Sequence, residues 1–204
     1  MKGKFVTFEG SEGCGKSTQS KLLYAYLKKK GLPVVFLREP GGVMISEKIR
    51  NILLDTKNDR MSAVCETLLY MAARAQIVEQ LIKPAIAKGK IVICDRFLDS
   101  TVVYQGYGLG LNIKAIKYMG HIATSGLKPD LTILLDLPVE KGLVHRKNNE
   151  DRIEKRPLQY HQRVRRGYLK LAAQEPQRIK IVKVQKDKAK TQDLIKAIVE
   201  RYVI

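Results

Sequence analysis

The chain is short of acidic residues and of cysteine, and it has no long apolar run. Its 20 Asp and Glu stand against 38 Lys and Arg, a formal charge of +18. A surplus of that sign excludes an acidic, self-solvating protein and attracts phosphate-bearing partners, whether mononucleotides or nucleic acid. The three cysteines, Cys14, Cys65 and Cys94, are odd in number and follow no metal-ligand spacing. That argues against a disulfide framework and fits a reducing cytoplasm. Cys65 and Cys94 lie in apolar-patterned segments and are expected to be buried. No apolar stretch approaches the roughly 18 residues needed to span a bilayer. The run Met1–Glu9 lacks the basic region, long apolar stretch and small-residue cleavage site of a signal peptide. The expectation is a cytoplasmic protein without membrane attachment.

What is present fits one domain. A chain of 204 residues can bury a core without covalent staples, and 45% hydrophobic with 28% charged residues is ordinary for a globular fold. No linker, low-complexity tract or internal repeat interrupts it. The pattern predicts strands at 4–9, 33–38, 90–95, 130–136 and 178–184. Between them it predicts helices at 15–30, 45–54, 63–88, 112–125, 138–147, 157–174 and 191–203. The apolar runs KIVICD and DLTILLD read as strands buried on both faces. Strands alternating with helices imply a parallel sheet covered on both sides. Residues 141–190 carry 16 Lys and Arg against five Asp and Glu, so the charge is concentrated late in the chain.

The strongest motif is Gly10-Ser11-Glu12-Gly13-Cys14-Gly15-Lys16-Ser17, a complete G-x-x-x-x-G-K-S between a strand and a helix. Such a loop curls backbone N–H groups around phosphate oxygens, and the helix N-terminus adds positive potential there. Lys16 is placed to reach the β and γ phosphates, Ser17 to bind Mg²⁺, with Thr18 beside it. Asp95, at the end of KIVICD, is the candidate second metal partner, directly or through water. Asp136, at the end of the other buried strand, competes for that role, although Pro138 after it favours a helix-cap reading. Arg96 projects from the end where ligands bind in open α/β sheets. Cys14, beside Lys16 at a helix N-terminus, is expected to lean towards a reactive thiolate that nucleotide would shield.

The loop identifies nucleoside triphosphate binding but not the phosphate acceptor. Here the remaining motifs resemble one family. Phe8-Glu9-Gly10 leading to Glu12, Arg38-Glu39-Pro40-Gly41-Gly42 and Ala72-Ala73-Arg74-Ala75-Gln76 resemble thymidylate kinase. So do Asp95-Arg96-Phe97, Ser100-Thr101 with Tyr104-Gln105-Gly106, and Lys128-Pro129-Asp130 with Leu135-Asp136. Asp151-Arg152-Ile153-Glu154 before Arg166-Gly167-Tyr168 completes a series that runs, in order, through nearly the whole chain.

The resemblance implies a three-layer α/β/α nucleoside monophosphate kinase fold with a five-stranded parallel sheet and a small lid at about 146–157. It implies ATP and dTMP as substrates, Mg²⁺ as cofactor, and a homodimer. Tyr70 lies one helical turn before Arg74, and the family uses an aromatic and an arginine there to hold thymine. Thr101 and Gln105 would address the base, and Tyr104 would crowd the 2′ position of the sugar. Arg38, Glu39, Arg50 and Arg96 would serve the acceptor, with Glu12 facing its sugar hydroxyl and metal-bound water. Bacterial-type members have no arginine in the phosphate loop and supply one from the lid. Arg152 is the first choice here, Arg156 and Arg146 the next. The chain departs from the family at His145, where an arginine is common, with Arg146 one place later as the adenine-side residue. It departs again at Lys155-Arg156, where acids are common.

Two rival readings remain from the residues alone. One is a kinase for UMP, CMP or AMP, against which Tyr70, Arg74, Thr101 and Gln105 argue. The other is a nucleic-acid-binding P-loop ATPase, supported by the +18 charge and the basic stretch Arg163–Arg166, but without any recognisable nucleic-acid motif. The helices at 45–54 and 63–88 are the expected dimer surface.

Overall fold

The computed structural model describes residues 3–144 and 151–204. Five strands, β1 (Lys4–Glu9), β2 (Val34–Arg38), β3 (Ile91–Asp95), β4 (Leu131–Asp136) and β5 (Ile179–Lys183), form one parallel sheet in the order β2-β3-β1-β4-β5. The apolar runs therefore occupy the centre, as their two-sided burial requires: all five residues of β3 are buried. Alternation sends Val6 and Phe8 to one face and Phe5 to the other.

On the first face Val6, Phe8, Ile91 and Ile93 meet Leu23 and Leu27 of α1 (Lys16–Lys29) and Ile195 and Val199 of α9 (Lys188–Tyr202). On the second, Phe5, Val92 and Cys94 meet Ile77, Val78 and Ile82. A further cluster joins Leu134 and Ile179 to Tyr160, Val164, Tyr168 and Leu171 of α8 (Leu158–Gln174). The three-layer α/β/α architecture expected from the sequence is the one formed.

Helix ends follow local chemistry. Ser62 accepts from the Cys65 N–H to start α3 (Ala63–Ile77), and Asn112 accepts from the Ala115 N–H to start α6 (Ile113–Thr124). The single helix expected at 63–88 is instead α3, a π-helical turn (Val78–Ile82) and α4 (Lys83–Ala87). Pro84 has no N–H for the carbonyl four residues back and crowds it, so the helix widens there.

A larger difference follows β3. The stretch expected to be a loop is helical, as α5 (Leu98–Thr101) running into a π-helical segment (Val102–Gly108). Two adjacent valines and two glycines gave it little helical signature, and burial of Val102 and Val103 overrides that weak propensity. The remaining short helices are α2 (Met44–Leu54) and α7 (Val139–Leu143).

Candidate active site

The carboxyl ends of β1, β2 and β3 open onto one cavity of about 570 Å³. This is where an open parallel sheet places its ligands. Its walls come from the phosphate loop, the segment after β2, helices α2, α3 and α5 with the π-helical segment that follows, and Asp151, Ile153 and Glu154.

The phosphate loop is held where only glycine fits. Gly13 has φ 70°, and a Cβ there would lie 1.9 Å from the Gly142 carbonyl oxygen of α7. Gly15, at φ 87°, caps α1 without a side chain, so the helix N-terminus stays open to an anion. Lys16 Nζ donates to the Ser11 carbonyl at 2.7 Å and lines the cavity with Ser17 and Thr18. Cys14 is 2% exposed, and burial pushes its thiol up in spite of Lys16 nearby. The thiolate expected there is thus corrected, because lost hydration outweighs the ammonium. Cys94 is buried as expected, but Cys65 is exposed, since it lies with Val64 and Leu68 on the outward side of α3 while Glu66 and Thr67 of the same turn face inward.

Across the loop, Ser17 Oγ donates to Asp95 Oδ2 at 2.5 Å. Asp95 Oδ1 is buried and accepts no hydrogen bond. An orphan carboxylate oxygen beside a hydroxyl, both at a phosphate loop, is the oxygen-only donor set that suits Mg²⁺. Asp136 is placed differently. It takes both arms of Arg165, at 2.7 and 3.0 Å, and does not line the cavity.

Glu12, the acid inside the loop, meets Arg96 Nη2 at 2.6 Å and accepts from the Tyr104 hydroxyl at 2.7 Å. Burial would raise its pKa, but Arg96, Lys16 and that hydroxyl hold it at about 2. Arg96 adopts φ 71°, a left-handed backbone unusual for a residue with a side chain. It donates to Ser100 Oγ at 3.1 Å and lies 4.9 Å over the Tyr104 ring. Glu9 fixes this turn from below. It accepts from the Phe97 N–H at 2.8 Å, Ser100 Oγ at 2.6 Å and the Tyr168 hydroxyl at 2.7 Å.

The acceptor side gathers the other expected residues. Arg38 and Arg50 both donate to the Pro40 carbonyl at 2.9 Å, and Arg38 also pairs with Glu47 at 3.0 Å. Both guanidiniums line the cavity with Arg96, three cations around one space. Arg74 is 2% exposed. It donates to Glu39 at 2.8 Å, Thr101 Oγ1 at 3.0 Å and the Phe97 carbonyl at 3.1 Å. Burial pushes the Glu39 carboxyl up to about 7 even with Arg74 against it. Tyr70, Tyr104 and Gln105 complete this wall, and burial raises the Tyr70 phenol.

The lid arginine is placed otherwise than expected. Arg152 donates through Nε to the Leu53 carbonyl at 2.9 Å and pairs with Glu66 at 2.6 Å. It does not line the cavity, whereas Asp151, Ile153 and Glu154 do. Arg156 also pairs with Glu66, at 2.6 Å. His145 and Arg146 lie outside the described residues. Sequence reasoning assigned no role to Glu9, Glu66, Tyr168 or Asp151. For Glu9 and Tyr168 the signal was there, since both sit inside the quoted motifs. Glu66 had none.

A phosphate loop, an acid at the end of the neighbouring strand and a second, arginine-lined pocket on one α/β/α sheet define a P-loop nucleoside monophosphate kinase. The Thymidylate kinase family model matches residues 8–195. The chain is 54% identical to the thymidylate kinase of Geotalea daltonii over 189 residues, 88% of each chain. It is 47% identical to that of a Thermoanaerobacter species over 204 residues, all of both chains. The crystal structure of thymidylate kinase from Ehrlichia chaffeensis superposes with a TM-score of 0.80 at 32% identity, covering 98% of this chain and 99% of that one. The chain belongs to the thymidylate kinase family.

Proposed function

We propose that this protein transfers the γ-phosphate of ATP to dTMP, giving dTDP, with Mg²⁺ at Ser17 and Asp95. The observation that carries this reading is one continuous cavity with a phosphate loop at one end and Arg38, Arg50 and Arg96 beside Tyr70, Arg74 and Gln105 at the other. Gly10–Thr18 cradle the ATP phosphates, and Lys16 neutralises charge on the group in transfer. Arg38, Arg50 and Arg96 bind the acceptor phosphate. Glu39 acts on the acceptor by holding Arg74. Tyr70 and Arg74 hold the base with Thr101 and Gln105, and Tyr104 closes the sugar side. Glu12, kept ionised by Arg96, orients the acceptor sugar.

Among the described residues no cluster of three His, Cys, Asp or Glu could hold a metal alone. Ser17 and Asp95 would therefore share a bound Mg²⁺ with phosphate oxygens and water. When bound, the ion neutralises phosphate charge. Arg152 supplies the lid charge in the transfer state, after leaving Glu66. Phosphoryl transfer asks the protein for positioning and charge, and every role above is one of the two.

Exposed apolar side chains on α2 (Met44, Ile45, Ile52), α3 (Val64, Leu68) and α6 (Tyr118, Ile122) form the face through which the protein pairs as a homodimer. Among the described residues no helix is long and apolar enough to cross a membrane. A cytoplasmic enzyme without a specific nucleic-acid partner is the consistent reading, the basic surplus attracting anionic substrates.

An ADP-release assay with dTMP, dUMP, AMP and CMP tests the acceptor. dTMP is expected to be best and dUMP weaker, since one methyl decides only ~1–3 kcal/mol. Equal or faster turnover of AMP or CMP would overturn the assignment.

A further inference from the structure

Glu66, on the first turn of α3, is fully buried and carries three partners. Its Oε1 accepts from Gln105 Nε2 at 2.7 Å. Its Oε2 alone takes both Arg152 Nη2 and Arg156 Nη2, each at 2.6 Å. Two guanidiniums thus share one oxygen, and no second carboxylate is paired with either of them among the described residues.

The two arginines are anchored unequally. Arg156 Nη1 donates to the Tyr160 hydroxyl at 2.6 Å and its guanidinium lies 4.6 Å over the Tyr160 ring. Arg152 is otherwise held by the Leu53 carbonyl and, weakly, by the Met61 sulfur at 3.6 Å. A buried carboxylate with one arginine resists losing it, because departure strands an unpaired charge. With a second arginine already on the same atom, departure strands nothing and relieves repulsion between like charges.

We propose that Arg156 is a positioning residue that frees Arg152 for catalysis: it keeps Glu66 paired while the Arg152 guanidinium moves to the phosphoryl group. This rests on the reading of Arg152 as the lid arginine. The same arrangement ties the arginine exchange to the acceptor pocket, since Glu66 also holds Gln105, which lines the cavity.

Steady-state kinetics and melting temperatures of five variants test it. Arg156→Gln leaves Arg152 as the sole cation on Glu66, and kcat is expected to fall roughly tenfold with KM for dTMP changed less than about twofold. Arg156→Lys keeps the charge and recovers most of kcat. Glu66→Gln alone leaves no carboxylate for a departing Arg152 to strand, and does not slow the enzyme as Arg156→Gln does. Glu66→Gln combined with Arg156→Gln turns over faster than Arg156→Gln alone, because a neutral amide holds Arg152 weakly. A merely structural role for Arg156 predicts the reverse, with the second substitution compounding the first. Full kcat in Arg156→Gln, or a double variant no faster than that single one, overturns the proposal. If Arg156→Gln does not fold, an Arg156→Lys enzyme as slow as Arg152→Gln overturns it equally. Full kcat in Arg152→Gln instead removes the lid-arginine reading itself, and the proposal with it.

Discussion

Ser17 and Asp95 are joined by a 2.5 Å hydrogen bond that ties the first turn of α1 to the end of the buried strand β3. The pair sets the phosphate loop against the sheet and leaves Asp95 Oδ1 as the one oxygen of that carboxylate without a partner. Asp95→Asn keeps the size and one acceptor oxygen but removes the charge that would face a divalent ion. Its turnover is expected to require a higher Mg²⁺ concentration, while ADP-free folding is little changed. Lys16→Ala is expected to lower kcat on the order of 10²–10⁴-fold, the scale of lost electrostatic stabilisation. A magnesium titration of Asp95→Asn matching the parent enzyme would remove Asp95 from the metal site.

Arg74→Ala acts on stability as well as on acceptor binding. The sequence suggests an arginine reaching for a base, but its guanidinium is also the buried partner of Glu39 and of the Phe97 carbonyl. Its loss leaves a buried carboxyl unpaired, which costs about 3–5 kcal/mol if that group stays charged. The expected outcome is a lower unfolding midpoint and a raised KM for dTMP. The stability loss should be smaller at pH 5.5 than at pH 8, because Glu39 can take up a proton. Urea unfolding at the two pH values checks this.

Glu39 also gives the native protein a pH dependence of definite sign. Its folded pKa, about 7, lies above the ordinary 4.5, so the folded state holds an extra proton between those values. The stability it contributes is fully present below pH 4.5 and is lost as the pH rises through 7. Glu12 works oppositely: held at about 2, it contributes stability above pH 4.5 that is lost as the pH falls towards 2. Between pH 5 and 8 the parent protein should therefore lose more stability than Glu39→Gln. Parallel urea midpoints for the two proteins would contradict the burial of Glu39 as an ionisable group.

Thiol labelling separates the cysteines by burial. Cys65 is exposed beside Val64 and Leu68, whereas Cys14 and Cys94 are enclosed. In Leu68→Glu, designed to open the apolar face of α3, iodoacetamide should modify Cys65 and leave Cys14 unmodified with or without Mg·ATP. If the proposed homodimer forms through this face, Cys65 labelling in the parent protein should quicken on dilution. Mass spectrometry of the modified peptides reads both. Faster labelling of Cys14 than of Cys65 in Leu68→Glu would contradict the burial that raises its thiol.

The parts legible in the sequence were those whose signal is local. The phosphate loop announces itself within eight residues, β3 does so by an unbroken apolar run, and β1 and β4 by apolar runs broken only by Thr7 and Thr132. Asp95 followed because a buried strand ends on it. The helix at 98–108 was hidden because its valines and glycines belong to no helical pattern until the rest of the core is packed around them. Glu66 was hidden for another reason. Its partners Gln105, Arg152 and Arg156 lie on other elements, 39 to 90 residues away, and no spacing rule connects them. Arg152 was found as a motif but not as a geometry, since nothing local to Asp151–Glu154 tells which carboxylate it meets. Asp136 was a fair rival to Asp95 until Arg165, across the fold, took both of its oxygens.

The place of β1 in the sheet bears on how the chain is made. β1 is translated before either of its sheet partners, although it is the middle strand, paired on one side with β3 and on the other with β4. When Phe5, Val6 and Phe8 emerge, their earliest partner, starting at Ile91, has yet to be translated. At the usual ~5–20 residues per second, that is a wait of roughly 4–16 seconds. Through it the central strand of the finished sheet holds Phe5, Val6 and Phe8 without their sheet partners. The nascent chain is therefore exposed to aggregation at β1 over that interval, and chaperone occupancy there should fall only once β3 has cleared the exit tunnel.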